Sequence, residues 1–233
     1  MFVKRDIDEF KQQYLKTSFK PNVLICGDSG VGKSTLINDL LGKKLAPVSA
    51  AKACTKDFEC YSDNSINIYD SKGRERDINI EEFLSIVVEF IKKRNNSNDP
   101  REHIHVFLYC ISEARVFNTM GWFIDSLKKC DVSPIVCITK ADTKTKEQLD
   151  DIRNELNNLN VHQDDIIYIS SPTKKHYIRQ DESIKQGHAM LMNRIFSASK
   201  SAYETAVSNA EKINHYKKVD GLNDILKKLL KNS

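Results

Sequence analysis

The sequence predicts an α/β fold: a mostly parallel central sheet flanked by helices, with a helical carboxyl-terminal extension. Three observations point there. Five short runs are almost continuously apolar, stretches with helical periodicity lie between most of them, and strand-like runs stop after Ser171 and Pro172. A strand with one wet face alternates apolar and polar residues, whereas a strand covered on both faces, as in a parallel sheet, does not. Runs of that kind separated by helical stretches imply helices packed on both sides of the sheet.

Taken in order, Ile7, Phe10, Tyr14 and Leu15 recur at helical spacing behind a potential cap at Asp6, predicting an amphipathic helix over residues 1–19 that packs on the main domain. Residues 23–26 form the first strand, and Leu36, Ile37, Leu40 and Leu41 mark the helix that follows. An additional edge strand is expected at 57–61 and a core strand at 66–69. Phe83, Val87, Phe90 and Ile91 then give a helix. The polar stretch RNNSNDPR, residues 94–101, reads as a surface loop punctuated by Pro100. Strands at 106–111, 135–139 and 166–169 follow, with a helix containing Trp122, Phe123 and Leu127 after the first of them. The remainder reads as helices interrupted by turns near Ser197 and at Asp220-Gly221. The expected organisation is therefore an amino-terminal helix (1–19), a main domain (20–196) and a basic helical extension (197–233).

Composition narrows the class. The chain has 233 residues, 40% apolar and 29% charged, enough to bury a core, so pervasive disorder is excluded. No apolar run approaches the roughly 20 residues of a membrane-spanning helix, and the charged MFVKRDIDEF start does not resemble a secretory signal, so a cytoplasmic setting is expected. The six cysteines show no C-x-x-C pair; Cys26, Cys110 and Cys137 sit inside apolar runs as reduced core residues. The six histidines have no metal-ligand spacing, and His103 and His105 read as satisfied structural residues on one strand face. The formal charge of +4 is unevenly placed: residues 1–172 sum to −2 and residues 173–233 to +6.

The chemistry concentrates in a few short motifs. Residues 27–35, GDSGVGKST, match G-x-x-x-x-G-K-[ST] between a strand and a helix. Such a loop, formed here by Gly27, Asp28, Ser29, Gly30, Val31, Gly32, Lys33, Ser34 and Thr35, wraps its N–H groups around phosphate oxygens at the positive end of the helix. Lys33 then reaches the β and γ phosphates, and the Ser34 hydroxyl ligates magnesium. Farther along, Thr139-Lys140-Ala141-Asp142 follows an apolar strand and fits [NT]-K-x-D. A carboxylate at Asp142 accepts hydrogen bonds from the guanine ring N–H and exocyclic amine, a donor pattern adenine lacks, while the Lys140 stem covers the base. Asp70-Ser71-Lys72-Gly73 fits D-x-x-G at a strand end, with Asp70 holding a magnesium-bound water and the Gly73 N–H meeting the γ phosphate. Ser170 and Ser171 end the last strand, where a backbone N–H meets the guanine carbonyl oxygen.

On these motifs the chain resembles P-loop GTPases with the G-domain fold, of the Era, TrmE and septin-like class, over roughly residues 20–195. The nearest stretch is GKSTLINDLLGKKLAPVSAAKACTKD. The resemblance implies that Thr55 completes the magnesium shell, although Cys54 stands where a threonine often precedes it. YCISEARVFNTMGWFIDSLKKCDVSPIVCITKAD is similar to a bacterial subgroup of Era-like GTPases, with Arg115 expected to anchor the following helix. Two positions depart from the pattern. Arg74 stands where a water-orienting glutamine or an apolar residue is usual, and Gly30 where potassium-assisted members carry asparagine.

The implied function is GTP hydrolysis to GDP and phosphate, slow without a partner or self-association, with Lys33, Thr55 and Gly73 serving the reaction, driving a conformational switch. The alternative is a septin-like scaffold that assembles with little hydrolysis. The tail stripe of Val219, Leu222, Ile225, Leu226, Leu229 and Leu230, flanked by lysines, makes a basic amphipathic helix. Packing on protein is its first expected role, contact with an anionic membrane its second, and nucleic acid ranks behind both.

Overall fold

The computed structural model describes residues 19–42, 58–71, 79–112, 120–170 and 186–231. The amino-terminal segment 1–18, Thr55, Lys72, Gly73, Arg74, Arg115 and Ser171 lie outside the described residues, as do the side chains of the tail stripe.

Six strands form one sheet: β1 Asn22–Gly27, β2 Phe58–Ser62, β3 Asn67–Ser71, β4 Val106–Ile111, β5 Ser133–Ile138 and β6 Ile166–Tyr168. Their spatial order is β2-β3-β1-β4-β5-β6. All neighbours pair in parallel except β2 and β3, so the expected edge strand is the antiparallel member.

The continuous apolar runs are explained by two covered faces. Val23 and Ile25 of β1, Leu108 and Cys110 of β4, and Ile135 and Cys137 of β5 share one core with Leu36, Ile37 and Leu40 of helix α1 (Lys33–Leu41). The alternate residues Leu24, Cys26, Phe107, Tyr109 and Val136 pack on the other side. There they meet α2 (Ile80–Asn95), α3 (Met120–Lys128) and α4 (Lys146–Asn158). Because successive strand residues point to opposite faces, each strand needs apolar residues at every position.

Local chemistry sets the helix ends. Asn79 caps α2 by accepting from the Glu81 N–H, with Glu81 and Glu82 in the first turn and Lys92, Lys93 and Arg94 in the last, both favoured by the helix dipole. Thr145 and Gln148 form a reciprocal capping box at α4. The 94–101 loop is shorter than expected: α2 continues through Asn95, and Pro100–Glu102 forms a 3₁₀ turn capped by Asp99. His103 and His105 precede β4 instead of lying in it.

The carboxyl-terminal region departs most from expectation. Helix α5, Gly187–Lys231, is a single element of 45 residues, without the turns expected near Ser197 and at Asp220-Gly221. The division between 196 and 197 therefore falls inside one helix. Ser197 is tolerated because its hydroxyl donates to the Arg194 carbonyl, while the neighbouring Phe196, Ala198 and Ser199 are buried. A lone glycine such as Gly221 costs only about 1 kcal/mol relative to alanine inside a helix. The first turns of α5 complete the α1 side of the core through Leu191, Met192, Ile195 and Phe196.

Candidate nucleotide-binding site

The phosphate-loop motif connects β1 to α1, and its backbone shape is set by glycine. Gly27, Gly30 and Gly32 have φ values of 150°, 75° and 110°. Gly27 is also forced by proximity, since a Cβ there would run into the Cys110 carbonyl oxygen of β4. Helix α1 starts at Lys33 behind Gly32, with no side-chain cap and no acidic residue in its first turn. Its first N–H groups are thus left to an anion, in contrast to the capped α2 and α4. Lys33 is buried, and its Nζ donates to the Gly27 carbonyl at 2.7 Å and the Asp28 carbonyl at 3.1 Å. The ammonium therefore lies inside the curve of the loop. Ser34 and Thr35 are exposed at the helix start.

The second motif leaves the end of β5 and returns to this loop. Thr139 is buried, its hydroxyl 2.6 Å from the Val31 carbonyl and 3.0 Å from that of Ile111. With one proton to donate, it serves the nearer acceptor, so the hydroxyl braces protein backbone and is not turned toward a base. Lys140 adopts a left-handed backbone, φ 53°, and its Nζ donates to the Gly30 carbonyl at 2.9 Å. Ala141 is buried, its N–H bonded to Ile169, which fixes the short turn Ala141–Thr143 against the end of β6. Asp142 sits half-buried on this turn, and Ser170 is buried where the β6 backbone ends.

At the end of β3, Asp70 has one buried carboxylate oxygen, Oδ1, without a hydrogen-bond partner among the described residues. Burial, only partly offset by Lys33 and reinforced by Glu59, pushes its pKa up to about 6. A buried oxygen of this kind calls for a partner that the described residues do not supply. The Asp70 carboxylate and the exposed Ser34 hydroxyl are hard oxygen donors of the type magnesium takes beside phosphates. The described residues therefore fit that cation. Glu59, which faces Asp70 across the antiparallel ladder and accepts from the Tyr61 hydroxyl at 2.8 Å, was not singled out in the sequence. Only strand register could reveal that pairing.

The partly buried link between His188 of α5 and Asp39 of α1, 3.2 Å, was likewise not anticipated. It ties the far end of the phosphate-loop helix to the carboxyl-terminal helix. Among the described residues, then, the phosphate loop, the 139–142 motif, Asp70 and Ser170 all lie at the carboxyl ends of neighbouring strands, where open α/β sheets place ligands.

Comparison with known proteins bears on the family and the fold. The chain is 28% identical over 185 residues to septin CDC11 of Candida albicans, the match covering 65% of this chain and 46% of the septin. It thus spans less than half the length of that relative. It is 31% identical over 180 residues to the probable GTP-binding protein EngB of Caldanaerobacter subterraneus, covering 70% of this chain and 84% of that one. Among solved structures, a probable GTP-binding protein engB superposes with TM-score 0.51 at 22% identity, over 77% of this chain and 99% of the other. Toc33 from Arabidopsis thaliana in complex with Mg2+ and GMPPNP gives TM-score 0.53 at 17% identity, over 87% and 92% respectively. Both structural likenesses concern the fold. The family model described as 50S ribosome-binding GTPase matches residues 22–188, most of the chain, and the protein belongs to that family.

Proposed function

We propose that this GTPase hydrolyses GTP to GDP and phosphate slowly and acts as a conformational switch, within the Era, TrmE and septin-like class and in the cytoplasm. The observation that carries the reading is the bonding of Thr139 and Lys140 to the Val31 and Gly30 carbonyls. It makes the base-reading motif and the phosphate loop one unit, so a nucleotide engages both ends in a fixed relation. Gly27 through Thr35 supply backbone N–H groups, and Lys33 exchanges loop carbonyls for phosphate oxygens. Asp142 accepts from guanine, Lys140 covers the base, and Ser170 with Ser171 faces its carbonyl oxygen. Ser34, Asp70 and Thr55 hold magnesium, which neutralises phosphate charge when bound. Gly73 senses the γ phosphate.

Slow turnover follows because Arg74 does not supply the water-orienting glutamine and Gly30 does not supply the asparagine of potassium-assisted members, while positioning and charge stabilisation supply most of the acceleration in phosphoryl transfer. Asp142→Asn tests the base assignment: preference should move from guanine toward xanthine nucleotides, and unchanged GTP affinity would contradict the contact. The septin relatives favour a second reading, a scaffold that self-associates with nucleotide and turns over little. The +6 charge of residues 173–233 makes that region the place for any anionic partner, a membrane surface included. Sedimentation with anionic liposomes at low salt tests the membrane contact.

A further inference from the structure

At the amino-terminal ends of β4 and β5, the end of the sheet opposite the nucleotide motifs, a cleft of about 550 Å³ opens between α5 and the turns preceding these strands. One wall carries the methyl groups of Ala202, Ala206 and Ala210, one helical turn apart, and the other includes Asn98 and Cys130. The second wall is braced. Asn95 accepts from the Ile104 N–H at 2.8 Å and donates to the Cys130 carbonyl at 3.1 Å, while His105 lies 3.0 Å from the Pro100 carbonyl. The cleft is therefore a preformed feature.

What enters at its rim is the chain itself. Phe19, the first described residue, packs its ring 4.9 Å from that of His105 and 4.4 Å from that of Tyr203. We propose that the cleft is the docking site for the segment preceding Phe19, with Phe10 and Tyr14 seated on the Ala202–Ala206–Ala210 floor. Ile7, Phe10 and Tyr14 are spaced three and four apart, the interval at which helical side chains share a face. Small side chains on α5 allow an apposed helix to come close. The floor spans about 12 Å, at 1.5 Å per helical residue. The five residues from Phe19 back to Tyr14 reach about 16 Å when extended, so the tether suffices. A short tether gives the segment a millimolar effective concentration, which a free ligand or a second copy must overcome.

The 233-residue chain provides the test, with Tm and nucleotide binding as folding controls. In Phe10→Asp, alkylation of Cys130 by iodoacetamide should become about tenfold faster. In Ala206→Asp, a change at a half-exposed site, amide exchange over residues 5–16 should accelerate about tenfold. Both effects should be independent of protein concentration. Unchanged alkylation in Phe10→Asp overturns the proposal, as does unchanged exchange in an Ala206→Asp protein that remains folded. Protection that disappears on dilution also overturns it, assigning the cleft to a second copy. Should Ala206→Asp fail to fold, the Phe10→Asp result decides alone.

Discussion

At the scale of single residues, this fold is defined where side chains are excluded or stranded. Gly27 is excluded from having a Cβ by the Cys110 carbonyl, so Gly27→Ala should lower stability by at least about 2 kcal/mol and abolish nucleotide binding, measurable by denaturant unfolding and titration. Asp70 is stranded. A carboxyl raised from 3.8 to about 6 contributes stability below its ordinary value that is lost as pH rises through 6, so at neutral pH its charge is a cost. Asp70→Asn should therefore stabilise the nucleotide-free protein by about 1 kcal/mol at pH 7, discounted for partial exposure, while magnesium-dependent turnover falls. His105 has the opposite sign. Burial holds its pKa down to about 4, against 6.5 ordinarily, and Nδ1 accepts from the Asn22 N–H. The neutral ring contributes stability above pH 6.5 that is lost as pH falls toward 4. His105→Asn keeps an acceptor for Asn22 and should flatten that acid limb, read as Tm against pH.

At the scale of elements, the turn carrying residues 139–142 is held by the phosphate loop and by β6 together. Thr139→Val leaves the Val31 carbonyl without its donor inside the protein, and a stranded buried group costs about 1–3 kcal/mol. Because the loop shifts with it, GTP affinity should fall beyond what the stability loss explains; unchanged affinity would separate the two motifs. At the start of α5, a Cβ on Gly187 would strike the Tyr168 carbonyl oxygen of β6. Gly187→Ala should therefore cost about 3 kcal/mol, seen as a lower denaturant midpoint, since the backbone and not a flexible side chain must give way. Helix α1 shows the converse economy. It is left uncapped where a ligand is to act as its cap, while α2 and α4 carry full caps of their own.

At the scale of the whole molecule, the main question is whether turnover belongs to one chain or to an assembly. GTP turnover per molecule that rises with protein concentration is the expected outcome for a switch completed by self-association, checked by phosphate release across a dilution series. Absence of turnover at every concentration favours the scaffold reading. Helix α5 extends about 68 Å at 1.5 Å per residue, and its first turns pack on the same core as α1. Through His188 and Asp39 it also touches the helix that begins at the phosphate loop. Net charge bears on partners and not on the fold: the nucleotide region handles an anion with local N–H groups and Lys33, without a global field.

The sequence by itself determined the strands, most helices and the motif residues, because strand burial on two faces and phosphate-loop geometry are written in neighbouring positions. GDSGVGKST and TKAD could be read as chemistry for the same reason. Tertiary structure alone decided how the motifs are joined. That Thr139 braces Val31, that Glu59 faces Asp70, that His188 reaches Asp39 and that Gly187 lies against Tyr168 depend on strand register and helix docking between residues far apart in the chain. Local sequence also misjudged α5. Its turn signals at Ser197 and Gly221 are real propensities of about 1 kcal/mol or less, and burial of Phe196, Ala198 and Ser199 beside the first of them outweighs that cost.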